Sequence, residues 1–239
     1  MTSLEGKKTV VIGASSGMGL ATAKAIAEGG AKVFLVGRSL ASLNRAAEAV
    51  GYDAQAIPAD IADEDAIAAL FEEVGTFDHL VITAADLAYA PIQDFDSADA
   101  HKIVNSKILG AFYVAKHAAS RLNKDGSITF FAGVAAWKPS PGASMVATAN
   151  GAIAAFAQTL ALELAPVRVN VVSPGVVETP SWNGMPEAER QAFFTDLAQK
   201  LPTRRIGQPE DLADAVLFLM KNSYTTGTVL HVDGGHRLI

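Results

Sequence analysis

The sequence contains no cysteine among its 239 residues. Neither a disulfide framework nor a thiolate metal site can therefore form. The five histidines are scattered without the spacing of metal ligands, so a metal site is not expected. Charged residues are also few, at 18%, and they leave a net charge of −6 with no Lys/Arg-rich run. This balance argues against nucleic acid as a partner.

Signals for secretion or membrane insertion are also weak. Residues 1–8 are short and polar and lack the apolar region of a secretion signal. Residues 139–162 carry no charge, which invites a membrane interpretation, but proline, glycines, Asn150, Gln158 and several hydroxyl side chains argue against it. We therefore expect a soluble, cytoplasmic protein that does not contact a membrane.

Hydrophobic residues make up half of the chain, which is enough for a large core. Strand-like and helix-like segments alternate from end to end. This alternation predicts an α/β fold, a Rossmann-type doubly wound parallel sheet of seven strands with helices on both faces. No repeat, low-complexity tract or linker interrupts the pattern, so we expect residues 1–239 to form a single domain.

The boundaries of these elements follow from hydrophobic periodicity, caps and turn residues. Asp125-Gly126 is interpreted as a turn into the fifth strand, after one long helix. Ser39 and Asp63 are predicted helix N-caps, and Gly51 is a predicted helix stop. The predicted strands are 9–12, 32–36, 54–58, 77–83, 127–131, 167–172 and 228–232, and the predicted helices are 17–28, 40–50, 64–74, 97–122, 143–164, 186–200 and one that begins at 209.

The stretch that follows the first predicted strand carries the main functional signal. Gly13, Gly17 and Gly19 let the backbone bend sharply and approach a ligand closely. The next helix points its free amide groups and its positive dipole end at this turn, which suits a pyrophosphate. Ser15 and Ser16 add hydroxyl groups that can bond phosphate or ribose oxygens. Because this pattern lies at the first strand-to-helix turn of a strand–helix–strand unit, it indicates a pyrophosphate site more specifically than a lone glycine pattern does.

Further motifs at fixed spacing complete a resemblance to a known family. The motifs are Gly13-x-x-x-Gly17-x-Gly19, Asp60, Asn105, Ser173-Pro174-Gly175 with Thr179, Arg205-x-Gly207-x-Pro209-Glu210-Asp211, and Val232-Asp233-Gly234-Gly235. Together they resemble the short-chain dehydrogenase/reductase family over nearly the whole chain. The resemblance implies an oxidoreductase that binds a nicotinamide dinucleotide.

The resemblance also assigns roles to individual positions. Asp60 would accept a hydrogen bond from the adenine amino group, and Thr179 would meet the nicotinamide carboxamide. Asn105 would hold the long helix open and position the catalytic lysine through water, although it could equally bond its own helix backbone. The expected cofactor-binding residues are Gly13, Ser15, Ser16, Gly17, Met18, Gly19, Arg38, Ser39, Asp60, Ile61, Ala84, Ala85, Asn150, Pro174, Gly175, Val177 and Thr179.

The choice of cofactor can be argued from charge. A carboxylate after the second strand would bond the ribose 2′-hydroxyl of NAD and repel a 2′-phosphate. This chain has Gly37 there, followed by Arg38 and Ser39. A guanidinium is a forked donor suited to phosphate, and Ser39 could be a second donor. The sequence therefore favours NADP(H) over NAD(H).

The family's catalytic pattern is not matched. It uses a Tyr-x-x-x-Lys pair on the small-residue helix and a serine at the end of the fifth strand, with the tyrosine as proton donor. Here Val146, Asn150 and Gly133 occupy the tyrosine, lysine and serine positions, which leaves Asn105 as the one surviving position. No tyrosine lies between Tyr113 and Tyr224, so a slipped alignment restores nothing.

Two classes of function therefore stay open. One is an NADP(H)-dependent oxidoreductase that uses another proton donor, for which Lys138 and Tyr89 are weak candidates, or that needs little acid catalysis. The other is a cofactor-binding sensor or partner subunit without turnover. The substrate or ligand is expected to be a small molecule of unknown identity. Apolar residues in the loop 176–200 suggest an apolar ligand, or they pack this loop on the body of the protein. Small residues on the helix 143–164 predict a homodimer or homotetramer by analogy with the family.

Overall fold

The structure is a computed structural model that describes residues 3–239. Its centre is a sheet of seven parallel strands in the order β3-β2-β1-β4-β5-β6-β7. The order reverses between β1 and β4, as in a doubly wound sheet. The strands are β1 (Lys8–Ile12), β2 (Lys32–Gly37), β3 (Gln55–Pro58), β4 (Phe77–Ile82), β5 (Leu122–Phe131), β6 (Arg168–Pro174) and β7 (Val229–Val232).

Helices connect successive strands on both faces of the sheet. They are α1 (Gly17–Glu28), α2 (Leu40–Val50), α3 (Glu64–Val74), α4 (Ser97–Ile103), a π-helical segment (Val104–Leu109), α5 (Gly110–Ala118), α6 (Ser144–Glu163), α7 (Glu187–Lys200) and α8 (Pro209–Lys221). The α/β fold that the alternating pattern predicts is therefore confirmed.

Two apolar clusters lie on opposite faces of the sheet. One face packs against α3, α5 and α6, where Leu70, Val114 and Ile153 are buried. The other packs against α1, α2 and α8. Every residue of β4 is buried, because a parallel strand at the centre of such a sheet is covered on both faces. The rigid centre fixes the carboxyl ends of the strands, where the candidate site lies.

Local signals in the sequence place several helix ends correctly. The side chain of Ser39 accepts a hydrogen bond from the backbone of Ser42 at the start of α2. Asp63 caps α3 in the same way, through two backbone N–H groups. Gly51 ends α2 with a φ of +70°, a conformation that favours glycine.

The segment before β5 differs from its prediction. The long helix ends at Ala118, and β5 begins at Leu122, so Asp125-Gly126 lies within the strand and is not a turn into it. The pairing register of β4 with β5 shifts between Phe77 and His79. Gly126 lies so close to the carbonyl oxygen of Asp78 that a Cβ atom would have no room. The glycine therefore marks an irregularity in the strand pair.

Helix α6 covers the uncharged stretch of the sequence. By length and composition it could cross a membrane, a property that it shares with core helices of soluble proteins. One side of α6 is buried in the protein, and Ile153 and Ala157 belong to the core cluster beneath the sheet. Packing on the sheet accounts for these apolar residues.

A buried polar pair links β4 to β5 at the centre of the sheet. The ring nitrogen Nδ1 of His79 lies 2.9 Å from Ser127 Oγ, and both residues are buried. Desolvation lowers the pKa of His79 to about 4 from 6.5. The folded protein therefore holds this imidazole neutral.

We predict that His79 makes the protein sensitive to acid. Unfolded His79 takes up a proton below pH 6.5, whereas folded His79 resists protonation until about pH 4. The free energy of unfolding should therefore fall by about 3 kcal/mol between these values and stay level above them. Urea unfolding at several pH values measures this loss. His79→Asn should remove most of it, and the control His101→Asn, at an exposed residue of α4, should not.

Candidate functional site

A cleft of about 740 Å³ opens at the carboxyl ends of the strands, where the order of the sheet reverses. Its volume is within the range that small-molecule and cofactor sites occupy. Ligands of open α/β sheets bind at this kind of switch point. The cleft therefore lies where the sequence places the glycine turn.

The turn between β1 and α1 forms one wall of the cleft. Gly13 has a φ of +93°, and a Cβ atom there would lie 2.5 Å from Thr83 Oγ1 and 2.6 Å from the backbone nitrogen of Ala84. Ser16 is the N-cap of α1, yet its side chain makes no capping bond, and the first turn contains no acidic residue. The amide groups of this helix end thus face the cleft without a side-chain partner, a suitable site for a phosphate.

Charged residues mark the far end of the same wall. Arg38 follows β2 and forms an ion pair with Asp86 across the cleft, with Nη1 and Oδ1 3.4 Å apart. Its side chain is 69% exposed and lines the cleft, so it is accessible to a ligand. Asp60 also lines the cleft and accepts a hydrogen bond from the backbone of Ala62. Ser39 does not line it, because its side chain turns to cap α2.

The loop after β6 closes the opposite wall. Thr179 lies beside Gly17, where an added Cβ would be 3.3 Å from the threonine Cβ. The Thr179 and Ser181 hydroxyl groups are 2.6 Å apart. Trp182 packs on Phe193 and Phe194 of α7 and donates its indole N–H to the carbonyl oxygen of Val177. These aromatic residues give this side of the cleft an apolar surface.

The three residues predicted at the family's serine, tyrosine and lysine positions lie where β5 and α6 meet the cleft. Gly133, Val146 and Asn150 all line it, and Val146 and Asn150 are buried. A Cβ atom on Gly133 would lie 2.8 Å from Asn150 Nδ2, so the amide fills the space that a larger residue would need. The buried oxygen Oδ1 of Asn150 has no hydrogen-bond partner among the described residues. An acceptor is therefore left for a ligand or water.

Asn105 is not brought to the cleft, which corrects its predicted placement. The residue is exposed, and two positions along the chain Lys107 is buried and lines the cleft instead. Residues two apart point to nearly opposite sides of a helix. The signal for Lys107 was available, since it belongs to a buried stripe with Ile103, Gly110 and Ala111. The sequence prediction therefore misses a buried lysine that lines the cleft.

The Lys107 ammonium group is enclosed by the protein. Only 7% of the residue is exposed, and Nζ donates a hydrogen bond to the carbonyl oxygen of Ala132 at 3.3 Å. Burial lowers the pKa of this amine to about 8. Lys138, which also lines the cleft, bonds the carbonyl oxygen of Ile239, and Tyr89 is exposed at the rim.

The cleft assembles nearly all of the residues that the sequence assigns to a cofactor. The exception is Ser39, as described above. The predicted residues that line the cleft are Gly13, Ser15, Ser16, Gly17, Met18, Gly19, Arg38, Asp60, Ile61, Ala84, Ala85, Asn150, Pro174, Gly175, Val177 and Thr179.

Comparison with known proteins agrees with this geometry. Residues 13–237 match the family model described as enoyl-(acyl carrier protein) reductase. The short-chain dehydrogenase/reductase ATR9 of Stachybotrys chlorohalonatus is 32% identical, with 98% of each chain covered. The chain belongs to the short-chain dehydrogenase/reductase family. Members of this family bind NAD(P)(H) and act as oxidoreductases.

Solved structures of family members resemble this one closely. A small-chain dehydrogenase in complex with NADPH is 34% identical, covers 98% of this chain and 100% of its own, and superposes with a TM-score of 0.86. The MalC reductase/Diels-Alderase of Malbranchea aurantiaca is 30% identical, covers 99% and 98%, and has a TM-score of 0.93. The free amide groups of α1, the backbone contact at Gly13 and the unpartnered Asn150 oxygen all fit a dinucleotide in the cleft.

We predict that Gly133 and Asn150 are energetically coupled. Gly133→Ala should lower the free energy of unfolding by about 1–2 kcal/mol, because the added methyl group overpacks the Asn150 amide. In an Asn150→Ala background the same change should cost less than about 0.5 kcal/mol. Urea unfolding of the four variants measures the coupling. Gly184→Ala is the control, because its Cβ meets open space. Additive costs at Gly133 and Asn150 would contradict the prediction.

Proposed function

We propose that this protein is an NADP(H)-dependent oxidoreductase with an atypical active site. The single observation that carries the proposal is the wall formed by α1 and Arg38. It combines unpartnered amide groups at a helix N-terminus with an accessible guanidinium, and both line the same cleft. The NADPH-bound relative of the same fold supports the choice of cofactor.

The residues of the cleft would divide the work of holding the cofactor. The amide groups of the Gly13–Gly19 turn and the Ser15 and Ser16 hydroxyl groups would bind the pyrophosphate. Arg38 would leave Asp86 and hold a 2′-phosphate through charge-assisted bonds. Asp60 would accept from the adenine, and Thr179 would meet the nicotinamide end. A bound nicotinamide dinucleotide supplies a hydride at that end of the cleft.

The atypical part is the chemistry of proton transfer. The resemblance assigns Gly133, Val146 and Asn150 to the positions of the family's serine, tyrosine and lysine, and none of the three can donate a proton to a carbonyl oxygen as the family tyrosine does. The amide of Asn150 can still bond a ribose hydroxyl. Catalysis by this protein would therefore need a proton from another group.

A second candidate is a cofactor-binding sensor or partner subunit without turnover. The observation that favours it is the burial of Val146, an apolar residue that the resemblance assigns to the position of the family's acid. Cofactor binding supports both candidates equally, so turnover distinguishes them.

We predict that the protein binds NADPH more tightly than NADH by roughly 1.5–3 kcal/mol, because Arg38 can make charge-assisted bonds to the 2′-phosphate. Calorimetry should show that Arg38→Ala removes this preference and leaves NADH affinity nearly unchanged. Arg45→Ala is the matched control, because this exposed arginine of α2 bonds Ser42 and does not line the cleft. Equal affinities of the wild type for the two cofactors would overturn the proposed cofactor.

We predict slow turnover of simple ketones and secondary alcohols. A positioned general acid contributes about 10²–10⁴-fold, and the residues lost here belong to one cooperative unit, so their costs do not simply multiply. Oxidation of NADPH should run at least tenfold below a typical ~10 per second on ketones, aldehydes, quinones and enones. Gly13→Ala is the binding-deficient control. Typical rates on a simple ketone would contradict the prediction, and tight NADPH binding with no turnover at all would favour the sensor.

We also propose that the protein forms a homodimer or homotetramer through α6 and the helix before it. Phe112 is 46% exposed on α5, and Gly151 has open space beside it on α6. These features leave room for close contact between two copies. Light scattering should therefore give a multiple of 24.9 kDa at micromolar concentration. Gly151→Arg should reduce the mass to that of one chain, and Gly184→Arg, at another open glycine, should not.

A further inference from the structure

Lys107 is the one cleft-lining lysine that is buried. It lies in the π-helical segment Val104–Leu109, between α4 and α5. Its Nζ makes one hydrogen bond, to the carbonyl oxygen of Ala132, and forms no ion pair with a carboxylate of residues 3–239. An ammonium group has three donors. Two N–H groups are therefore left for a ligand in the cleft.

The hydrogen bond to Ala132 holds the Lys107 amine beside Gly133 and Asn150. Ala132, its hydrogen-bond partner, precedes Gly133 in the chain, and Gly133 lies against Asn150. Val146 is one helical turn before Asn150 on α6. Lys107 thus lies beside the residues that the resemblance assigns to the family's catalytic positions. It approaches them from the helical segment that also carries Asn105.

We propose that Lys107 Nζ donates the proton to the carbonyl oxygen of the substrate in this protein. The proposal rests on the proposed oxidoreductase function and supplies the donor that function lacks. The same N–H group stabilises this oxygen as negative charge develops on it, while the amide of Asn150 contributes its free acceptor to the bound ligands.

The proton and electron balance of the step is simple. A hydride reaches the carbonyl carbon as the carbon–oxygen double bond becomes single, and the electron pair that remains on oxygen takes a proton from Lys107 Nζ. The product is an alcohol, and Lys107 becomes a neutral amine that water reprotonates. The side chain thus moves one proton for each hydride, and alcohol oxidation runs the same path in reverse.

The burial of Lys107 supports this role. An exposed lysine holds its proton too tightly for efficient transfer near neutral pH, whereas desolvation brings the pKa of Lys107 to about 8. The amine is then mostly protonated at pH 7 and still acidic enough to release the proton. Reduction should therefore fall as the pH rises through about 8.

The first experiment observes Lys107 without relying on activity. Protein labelled with ¹³C and ¹⁵N in lysine is titrated by NMR, and the signal of Lys107 is assigned by its loss in Lys107→Gln. We expect this signal to titrate near pH 8, while Lys102, whose pKa is raised by the Asp99 carboxylate, remains protonated there. A Lys107 amine that stays fully protonated to pH 10 would overturn the proposal, whatever the activity of the protein.

The second experiment measures NADPH oxidation with the best substrate of the panel and, separately, NADPH affinity. Lys107→Gln should lose about 10²–10⁴-fold in kcat/KM and the decline above pH 8, with its NADPH Kd within about threefold of the wild type. Lys107→Arg keeps the charge but cannot release the proton, so it should lose activity too. Lys102→Gln, on the exposed side of α4, is the matched control.

Other titratable side chains of the cleft need their own controls. They are Arg38, Asp60, Asp86, Tyr89, Lys138 and His236. Desolvation lowers the pKa of His236, so this histidine does not account for a decline near pH 8. Tyr89→Phe and Lys138→Gln should leave that decline in place. If either removes it, the donor is that residue and the proposal for Lys107 is overturned.

The outcomes distinguish this proposal from the proposed oxidoreductase function on which it rests. Turnover that survives in Lys107→Gln or Lys107→Arg overturns the role of Lys107 and leaves the oxidoreductase intact. Failure of the wild type to bind NADPH or to reduce any substrate overturns both. Weakened NADPH binding in Lys107→Gln would reassign the lysine to cofactor binding. Circular dichroism checks that each variant folds, and if Lys107→Gln does not fold, the loss of the signal in Lys107→Arg assigns Lys107 for the wild-type titration.

Discussion

The close approach of two backbone segments fixes the geometry on which the cleft depends. Gly13 and Gly19 pack so tightly around Thr83 that a Cβ atom on either glycine would meet its hydroxyl oxygen. Thr83 in turn donates to the carbonyl oxygens of Ile12 and Gly13. This contact holds the start of α1 against the end of β4. The free amide groups of the helix are aimed into the cleft only because the glycines let these segments meet.

From this contact the cleft extends in two directions with different chemistry. Toward the edge of the sheet it is charged, with Arg38 and Asp86 facing each other. Toward α6 and α7 it becomes apolar around Val146 and Trp182, with Lys107 as the one buried cation among the lining residues. A reduced dinucleotide has a similar division, since its phosphates are charged and its nicotinamide ring is flat and uncharged. This distribution of charge would orient such a ligand as well as hold it.

Much of this arrangement could be predicted from the sequence because it depends on local patterns. The strands and helices follow from periodicity and caps, and Ser39 and Asp63 lie where their hydrogen-bonding chemistry predicts. The cofactor residues follow strand ends, and parallel strands bring those ends to one edge. The start of β5 could not be predicted, because Gly126 serves a close contact with Asp78 from a distant strand and not a turn. The sequence alone does not distinguish a glycine in a turn from a glycine at a close contact.

The long helix illustrates a second limit of the sequence. A motif was matched there by residue type, and Asn105 fitted the expected amide, but the structure turns Asn105 outward and Lys107 inward. Which side of a helix faces a site depends on rotation about its axis, and the π-helical segment alters that rotation locally. The buried stripe was a better guide than the motif, because burial reflects the physical environment of each position.

The contact between Gly133 and Asn150 also bears on how such a site changes over generations. A side chain at position 133 needs the space that the Asn150 amide fills, so the order of substitutions matters. A chain that first gains a serine at 133 would pass through an overpacked protein, whereas one that first exchanges Asn150 for a smaller residue would not. Under the predicted coupling, the residue tolerated at 133 would therefore depend on the residue present at 150.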